Sequence, residues 1–498
     1  MGAHLISVLG TSLYEPVVYE DSDRRSEDVK AQEFIQIALM EQFRNELLAK
    51  DGKITIFLTE QARRQNWLNR FYTKKEEEIA SRRTDANQVK DGGTKIGLEQ
   101  QLRDKYPEYY EKLEVIDISD GVKKEQIDEI FQKMYECIRP KSEDFQDEII
   151  FDITHSFRSI PMLAITVLNY ARVLKECTLK GIYYGAYEAA PRDVVDVKRA
   201  PIFDLTTYDE ILQWTSAADA FMRYGNAQQM REVYNSRMKN ASIAERKELG
   251  SIDKVIKGME YLSDAISTGR GLDVKKAAEK MPDKVSAKHA DQRSIRNSYQ
   301  MLERKCENLE PETSQKIKPL YPLLEKARKT YRCFDKQENY QIGIEMVRWS
   351  LENHMTQQGY TALEETIKTF LCYCFELDDT SETNRDKIVG ALLNGIGHYI
   401  KDRSASAQVK EMDVWEYLRT DRDCKDFTIG EKAETYKGMV ERIPEDYAKL
   451  TQQVKDRRND INHMGFRPNP ATSEQLRNDL EKYFSRFEEL VQRMLTTE

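Results

Sequence analysis

The sequence predicts two fold classes in one chain. Residues 1–205 read as an α/β domain with a mostly parallel, doubly wound sheet, residues 206–330 as an all-α connector, and residues 331–498 as an all-α domain. Three observations carry this reading. Short apolar runs alternate with helical stretches up to about residue 205, extended runs stop after Thr206, and the rest is helical between polar breaks such as 240–250 and 282–288. Apolar strands separated by helices imply βαβ units with right-handed crossovers. A length of 498 residues also exceeds what one ordinary core organises.

The elements follow in order. Residues 4–9 (HLISVL) form a first strand, with a helix over 32–48 after a polar loop. Residues 54–59 (ITIFLT) form a second strand, followed by a long charged helix. A third strand over 113–119 leads to a helix over 123–138, and a fourth over 148–154 leads to the strongly apolar helix 160–174. Residues 181–188 and 198–205 are two further extended runs. No fixed-period repeat or low-complexity tract interrupts the pattern.

Composition narrows the function classes. Lys and Arg number 77 against 86 Asp and Glu, a net charge of −9, which excludes a generally basic nucleic-acid coat. An anionic ligand must then be held by local features: helix N-termini, a few arginines, or one basic groove. Seven scattered cysteines argue against a disulfide framework, and the Cys372/Cys374 pair reads as buried thiols. No apolar window reaches the ~18 residues of a membrane span, and no signal peptide opens the chain, so a cytoplasmic protein with no membrane partner is expected.

In an open α/β sheet, ligands bind at the C-terminal edge of the strands, near the switch point. Strand one ends in Leu9-Gly10-Thr11-Ser12, a small glycine-hydroxyl loop. Strand four ends in Asp152-Ile153-Thr154-His155-Ser156-Phe157-Arg158-Ser159-Ile160-Pro161 at the mouth of a helix. Helix-terminal amides, hydroxyls and one arginine suit phosphate. The plainer alternative has Ser156 or Ser159 capping the helix and His155 packing under the sheet. Glu60-Gln61 and Tyr187-Glu188 stand where further contacts would arise. A GxGxxG pattern after strand one is absent, which weakens a dinucleotide-enzyme reading.

Near the C-terminus lies Arg457-Arg458-Asn459-Asp460-Ile461-Asn462-His463. On a helix, five residues rise about 7.5 Å and turn about 140° past a full circuit, so Arg458 and His463 can approach one cleft without stacking. RNA cleavage without a metal needs proton transfer near neutrality and positive charge beside the phosphorane. Histidine and arginine supply these. Alone, the pair also reads as a helix-end His beside a solvated Arg. The other histidines, His4, His289, His354 and His398, lack metal spacing and read as structural or exposed.

The segment from Asp152 to Pro161, with the Gly10-Thr11-Ser12 loop, resembles the signature of CARF domains, the CRISPR-associated Rossmann-like sensors. The Arg458-Asn459-xxx-His463 element resembles that of HEPN ribonucleases, and the order of the two is similar to CARF–HEPN effectors of type III CRISPR systems. The resemblance implies a homodimer, or a higher oligomer, that binds cyclic oligoadenylate across its two-fold axis. Gly10, Thr11, Ser12, Thr154, His155, Ser156, Phe157 and Arg158 would contact the ring. Glycine often follows the histidine in this family, and Ser156 departs from that. Cyclic tetra-adenylate is the preferred activator and cyclic hexa-adenylate its rival. The resemblance also implies a cofactor-free, metal-independent endoribonuclease in antiviral defence. It would cut single-stranded RNA through 2′-hydroxyl attack, with Arg458, His463 and Asn459 catalytic and no metal site. Two other readings stand beside this one. The first is a ligand-sensing binding module or transcriptional regulator with an inactive helical domain, the second a nucleotide-dependent Rossmann enzyme.

Overall fold

The computed structural model describes residues 2–21, 30–74, 76–77, 93–154, 160–190, 198–271, 294–309 and 318–496. The chain divides into two compact units, Met1–Glu210 and Ile211–Glu498.

In the first unit, seven strands form one sheet: β1 (Ala3–Leu9), β2 (Val18–Asp21), β3 (Lys53–Leu58), β6 (Leu113–Asp117), β7 (Glu148–Asp152), β8 (Thr178–Gly185) and β9 (Arg199–Asp204). A separate two-stranded piece pairs β4 (Arg70–Phe71) with β5 (Thr94–Lys95). The sheet order is β2-β9-β8-β7-β1-β3-β6. Strand β1 is central, with Ile6 opposite Thr55 of β3 and Phe151 of β7, both in parallel. Only the β8–β9 pairing is antiparallel within this sheet.

The pleat explains why these strands read as unbroken apolar runs. Ala3, Leu5 and Leu9 of β1 enter one core, while Ile6 and Val8 enter the other. The helices Ile35–Gln42 and Leu98–Lys105 cover the first face, and Lys124–Cys137 and Ile160–Leu174 cover the second. A strand buried on both faces has no polar side to alternate with. Buried His4 and Ser7 are the polar exceptions on β1: the His4 Nδ1 lies 3.0 Å from Asp147 Oδ2 and its Nε2 2.8 Å from Thr55 Oγ1. Burial pushes the imidazole below its usual range despite Asp147.

Several sequence expectations are corrected here. The helix over 32–48 is two pieces, Ile35–Gln42 and Arg44–Leu47. Most of the charged stretch read as a long helix after β3, residues 75 and 78–92, lies outside the described residues. A short turn, Glu60–Ala62, runs into a wider-pitched turn, Arg63–Trp67, and then β4. Strand β2 went unread because its sequence, VYED, is half charged, as suits a sheet edge. Residue pairs as short as β4 and β5 carry no period to detect.

The second unit has no strand among its described residues. One core gathers Phe221, Met259, Tyr299, Leu302, Tyr331 and Trp349; another gathers Leu363, Phe370, Leu392, Tyr447 and Phe487. The helix Asn339–Glu352 serves both, giving Ile342 and Met346 to the first and Tyr340 and Val347 to the second. The expected break over 240–250 shrinks to the residues before Ser242, which caps the helix Ile243–Ser267 by accepting from Glu245 N at 3.3 Å. The helices Asn339–Glu352 and Thr356–Cys374 are separated where His354 turns to φ +57°. Residues 282–288 and His289 lie outside the described residues. All seven cysteines are free, and burial raises the thiols of Cys372 and Cys374, the latter to about 11. No described helix is long and apolar enough to cross a membrane.

Candidate functional site

Two regions bear on function, one in each unit. In the first, the C-terminal ends of β1, β7 and β8 enclose a cavity of about 220 Å³. Its lining includes Ser12, Tyr14 and Glu15 after β1, Thr154 after β7, and Gly185, Tyr187 and Glu188 at the end of β8. The switch point of the sheet thus brings together residues from three separate loops.

Each loop is fixed from below. Asn66, buried, donates through Nδ2 to both Gly10 O and Ser12 O at 2.9 Å, and Gly10 N donates to the Tyr14 hydroxyl at 2.9 Å. Asp152, 1% exposed, accepts from Ser7 Oγ at 2.6 Å and from Thr154 N at 2.9 Å. Burial holds the Asp152 carboxyl above its ordinary range. Thr154 Oγ1 in turn accepts from Gly185 N at 2.8 Å, tying β7 to β8. A Cβ at Gly185 would come within 2.8 Å of Ile35 Cδ1, so a larger residue there would have to displace the Ile35 side chain. At the rim, the Tyr187 hydroxyl donates to Glu15 Oε2 at 3.0 Å and accepts from Lys198 Nζ at 2.8 Å. Tyr184 donates to Glu188, and its hydroxyl is raised to about 12 by burial and that carboxylate.

Of the residues expected to contact a ligand, Ser12 and Thr154 line this cavity, and Gly10 holds the loop that carries Ser12. Thr11 is half-buried outside the lining, and His155, Ser156, Phe157 and Arg158 lie outside the described residues. Tyr187 and Glu188 line it, whereas Glu60 is exposed and bonded to Arg64 at 2.7 Å. The described lining carries carboxylates and no cation; Lys198 reaches only its rim. Asn66 and Glu15 were not read from sequence, because no local motif marks a residue whose partner loop lies more than fifty positions away.

In the second unit, the helix Glu445–Asn462 carries Arg458 and Asn459 in its last turns and ends at His463. Arg458 Nη1 lies 3.2 Å and 3.4 Å from the two Glu364 oxygens on the helix Thr356–Cys374. The Glu364 side chain is 8% exposed and that of Arg458 33%. Arg458 Nε is buried with no hydrogen-bond partner among the described residues. His463 is exposed, its N donating to Asn459 O at 3.0 Å and its ring unbonded among the described residues. The helix end is closed by two further bonds, Met464 N to Ile461 O at 2.9 Å and Gly465 N to Asp460 O at 3.0 Å. These form a Schellman motif, with Met464 at φ +54° in the left-handed position. Beside His463, Met464 and Phe466 are 82% and 87% exposed. Glu364 was missed in the sequence, standing 94 positions before the arginine it holds. Among the described residues no three His, Cys, Asp or Glu side chains gather as metal ligands.

Comparison with known proteins adds to this geometry. Residues 4–188 match the CARF domain of the CRISPR system endoribonuclease Csx1, and residues 210–295 match the second domain of the CRISPR-associated protein MJ1674. The chain is 25% identical over 295 residues to CRISPR-associated protein MJ1674 of Methanocaldococcus jannaschii. That match covers 59% of this chain and 39% of the relative's length. The parallel sheet and these matches make the N-terminal unit similar to CARF domains, and over part of its length the chain is similar to CRISPR-associated proteins.

Proposed function

We propose that this protein is an endoribonuclease switched on by cyclic oligoadenylate. The ring occupies the cavity above β1, β7 and β8 in each of two copies. The paired helical units then cut single-stranded RNA without a metal. The observation that carries the catalytic half is the state of Arg458 and His463. The guanidinium is anchored by Glu364 while part of its side chain stays exposed, and the imidazole five positions on is exposed and unbonded among the described residues. A partly exposed, anchored guanidinium suits a phosphate oxygen.

In the proposed reaction the RNA 2′-oxygen forms a bond to phosphorus and the bond to the 5′-oxygen breaks. A 2′,3′-cyclic phosphate and a 5′-hydroxyl result. Arg458 neutralises the phosphorane, and His463 carries the proton between the attacking and departing oxygens. Asn459 orients the scissile strand. Two copies contribute to a composite site. The ring acts by population shift, binding the dimer arrangement that aligns the two sites more tightly than the other arrangement.

The test is cleavage of labelled single-stranded RNA in EDTA, with cyclic tetra-adenylate, cyclic hexa-adenylate or neither. Cutting by the wild type only with a ring, and none by Arg458→Ala or His463→Ala, is the expected result. Unchanged cutting by His463→Ala removes the assignment, and equal rates with and without ring remove the switch. No cutting with either ring, together with DNA binding, would move the reading to a ligand-controlled regulator.

A further inference from the structure

A cavity in the helical unit shares no lining residue with either region above. It encloses about 510 Å³ between the end of the helix Ile243–Ser267 and the helices Asn339–Glu352 and Thr356–Cys374. That volume is in the range of small-molecule sites. Its walls combine apolar surface, from Ile295 and Met346, with unspent polar groups.

The polar groups define a pattern. Asn339 Nδ2 donates to Asp379 Oδ2 at 2.9 Å, which leaves Asn339 Oδ1 buried without a partner among the described residues. Asp379 forms no ion pair among the described residues, so its carboxylate has accepting capacity left. Held in place by Asn339, the two Asp379 oxygens make an acceptor pair at the cavity wall. The cation in the lining, Arg385, is already engaged, at 2.6 Å to Glu365 Oε2 and 2.6 Å to Thr369 Oγ1. No uncommitted cation among the described lining residues is left for a phosphate. The complement is therefore a neutral, flat heterocycle with adjacent N–H donors that can lie against Met346 and Ile295. Of the nucleobases, guanine alone presents a ring N–H beside an exocyclic amino group, two donors that match the two oxygens of a carboxylate.

We infer that this cavity is a binding site for a guanine nucleoside, held through its N1–H and 2-amino edge by Asp379, which Asn339 holds in place. The inference does not depend on ribonuclease activity, and its assay reads binding alone. Isothermal titration of the full chain with guanosine, inosine and uridine is the test. Guanosine should bind saturably, one per chain. Inosine, which lacks the 2-amino group, should bind at least about tenfold more weakly, the cost of one hydrogen bond to a charged acceptor. Uridine should not bind measurably. Asp379→Asn should weaken guanosine about tenfold or more, and Thr361→Trp, which fills the cavity from its wall, should abolish it, with circular dichroism confirming that each is folded. His463→Ala should bind guanosine as the wild type does. A 2′-O-methyl oligonucleotide with a single guanine separates two sources of the same base: displacement of guanosine places it in RNA, and retention places it in a free nucleoside. Absence of saturable guanosine binding overturns the inference, as does equal binding of inosine, or binding unchanged in both folded variants.

Discussion

At the scale of single residues, the helical site turns on what Glu364 does to Arg458. A buried carboxylate within 3.4 Å of the guanidinium limits its rotamers before any RNA arrives. Glu364→Gln keeps the shape and removes the charge. We expect it to lower kcat for RNA about tenfold or more with KM little changed, since a hydrogen bond to a charged group accounts for roughly 1.5–3 kcal/mol. A variant whose KM alone rises would show that Glu364 serves binding, not alignment. A second residue-scale prediction concerns His4. Burial lowers its folded pKa below the unfolded 6.5, so the fold favours the neutral ring. Its contribution is complete above pH 6.5 and is lost as the pH falls below it. Asp147 behaves in the carboxylate sense: burial opposes its charge, but hydrogen bonds from His4 and Arg139 outweigh that and hold it at about 2. Its stabilisation is present above 3.8 and disappears as the pH falls toward 2. Melting temperatures from pH 8 to 5 should therefore fall in the wild type and fall less in His4→Gln; parallel slopes would exclude His4 as the source.

At the scale of elements, the helix Glu445–Asn462 ends in a cap that its sequence does not favour. Met464 occupies the left-handed position that glycine usually takes, and the residue after it, Gly465, sits at φ +71°. Met464→Gly should stabilise the helix end by about 1 kcal/mol, read as a higher denaturation midpoint, because it removes the Cβ clash of that conformation. The opposite sign is expected at Ser242, where the side chain accepts from Glu245 N and Ser242 N donates to Glu245 Oε2 at 2.8 Å. Ser242→Ala should cost about 1 kcal/mol by the same measurement. The helix Thr356–Cys374 serves several faces. Leu363, Ile367 and Phe370 fill the core, Glu364 reaches Arg458, and Glu365 and Thr369 hold Arg385 at the large cavity. Successive residues differ by about 100° around a helix, so neighbours such as Glu364 and Glu365 face different tasks.

At the scale of the whole molecule, the proposed sensor and the proposed nuclease belong to separate compact units, each with its own core. A ring that binds the folded first unit must stabilise it by mass action. At a hundredfold excess over Kd, cyclic tetra-adenylate should add about 2.7 kcal/mol to the stability of that unit. Thermal melts with and without ring would measure this, and Thr154→Ala should reduce the shift. A ring that activates cleavage but leaves every melting transition in place would mean that it binds elsewhere.

Much of this architecture was legible in the sequence. The βαβ rhythm, the switch from strands to helices near Thr206 and the apolar helix Ile160–Leu174 were readable because strands and helices announce themselves by local periodicity. The composition likewise excluded a broadly basic protein. Other features were decided only in three dimensions. The edge strand Val18–Asp21 depends on β9 some 180 positions away, and nothing in VYED requires pairing. Asn66 holding the Gly10–Ser12 loop, Thr154 bonding Gly185, Glu364 anchoring Arg458, and Asn339 meeting Asp379 are all contacts between residues distant in sequence. Local pattern reports which face of an element is apolar. Which polar group meets which across the packed elements is set by the tertiary arrangement, because a buried donor or acceptor takes whatever partner the fold brings within 3 Å or so.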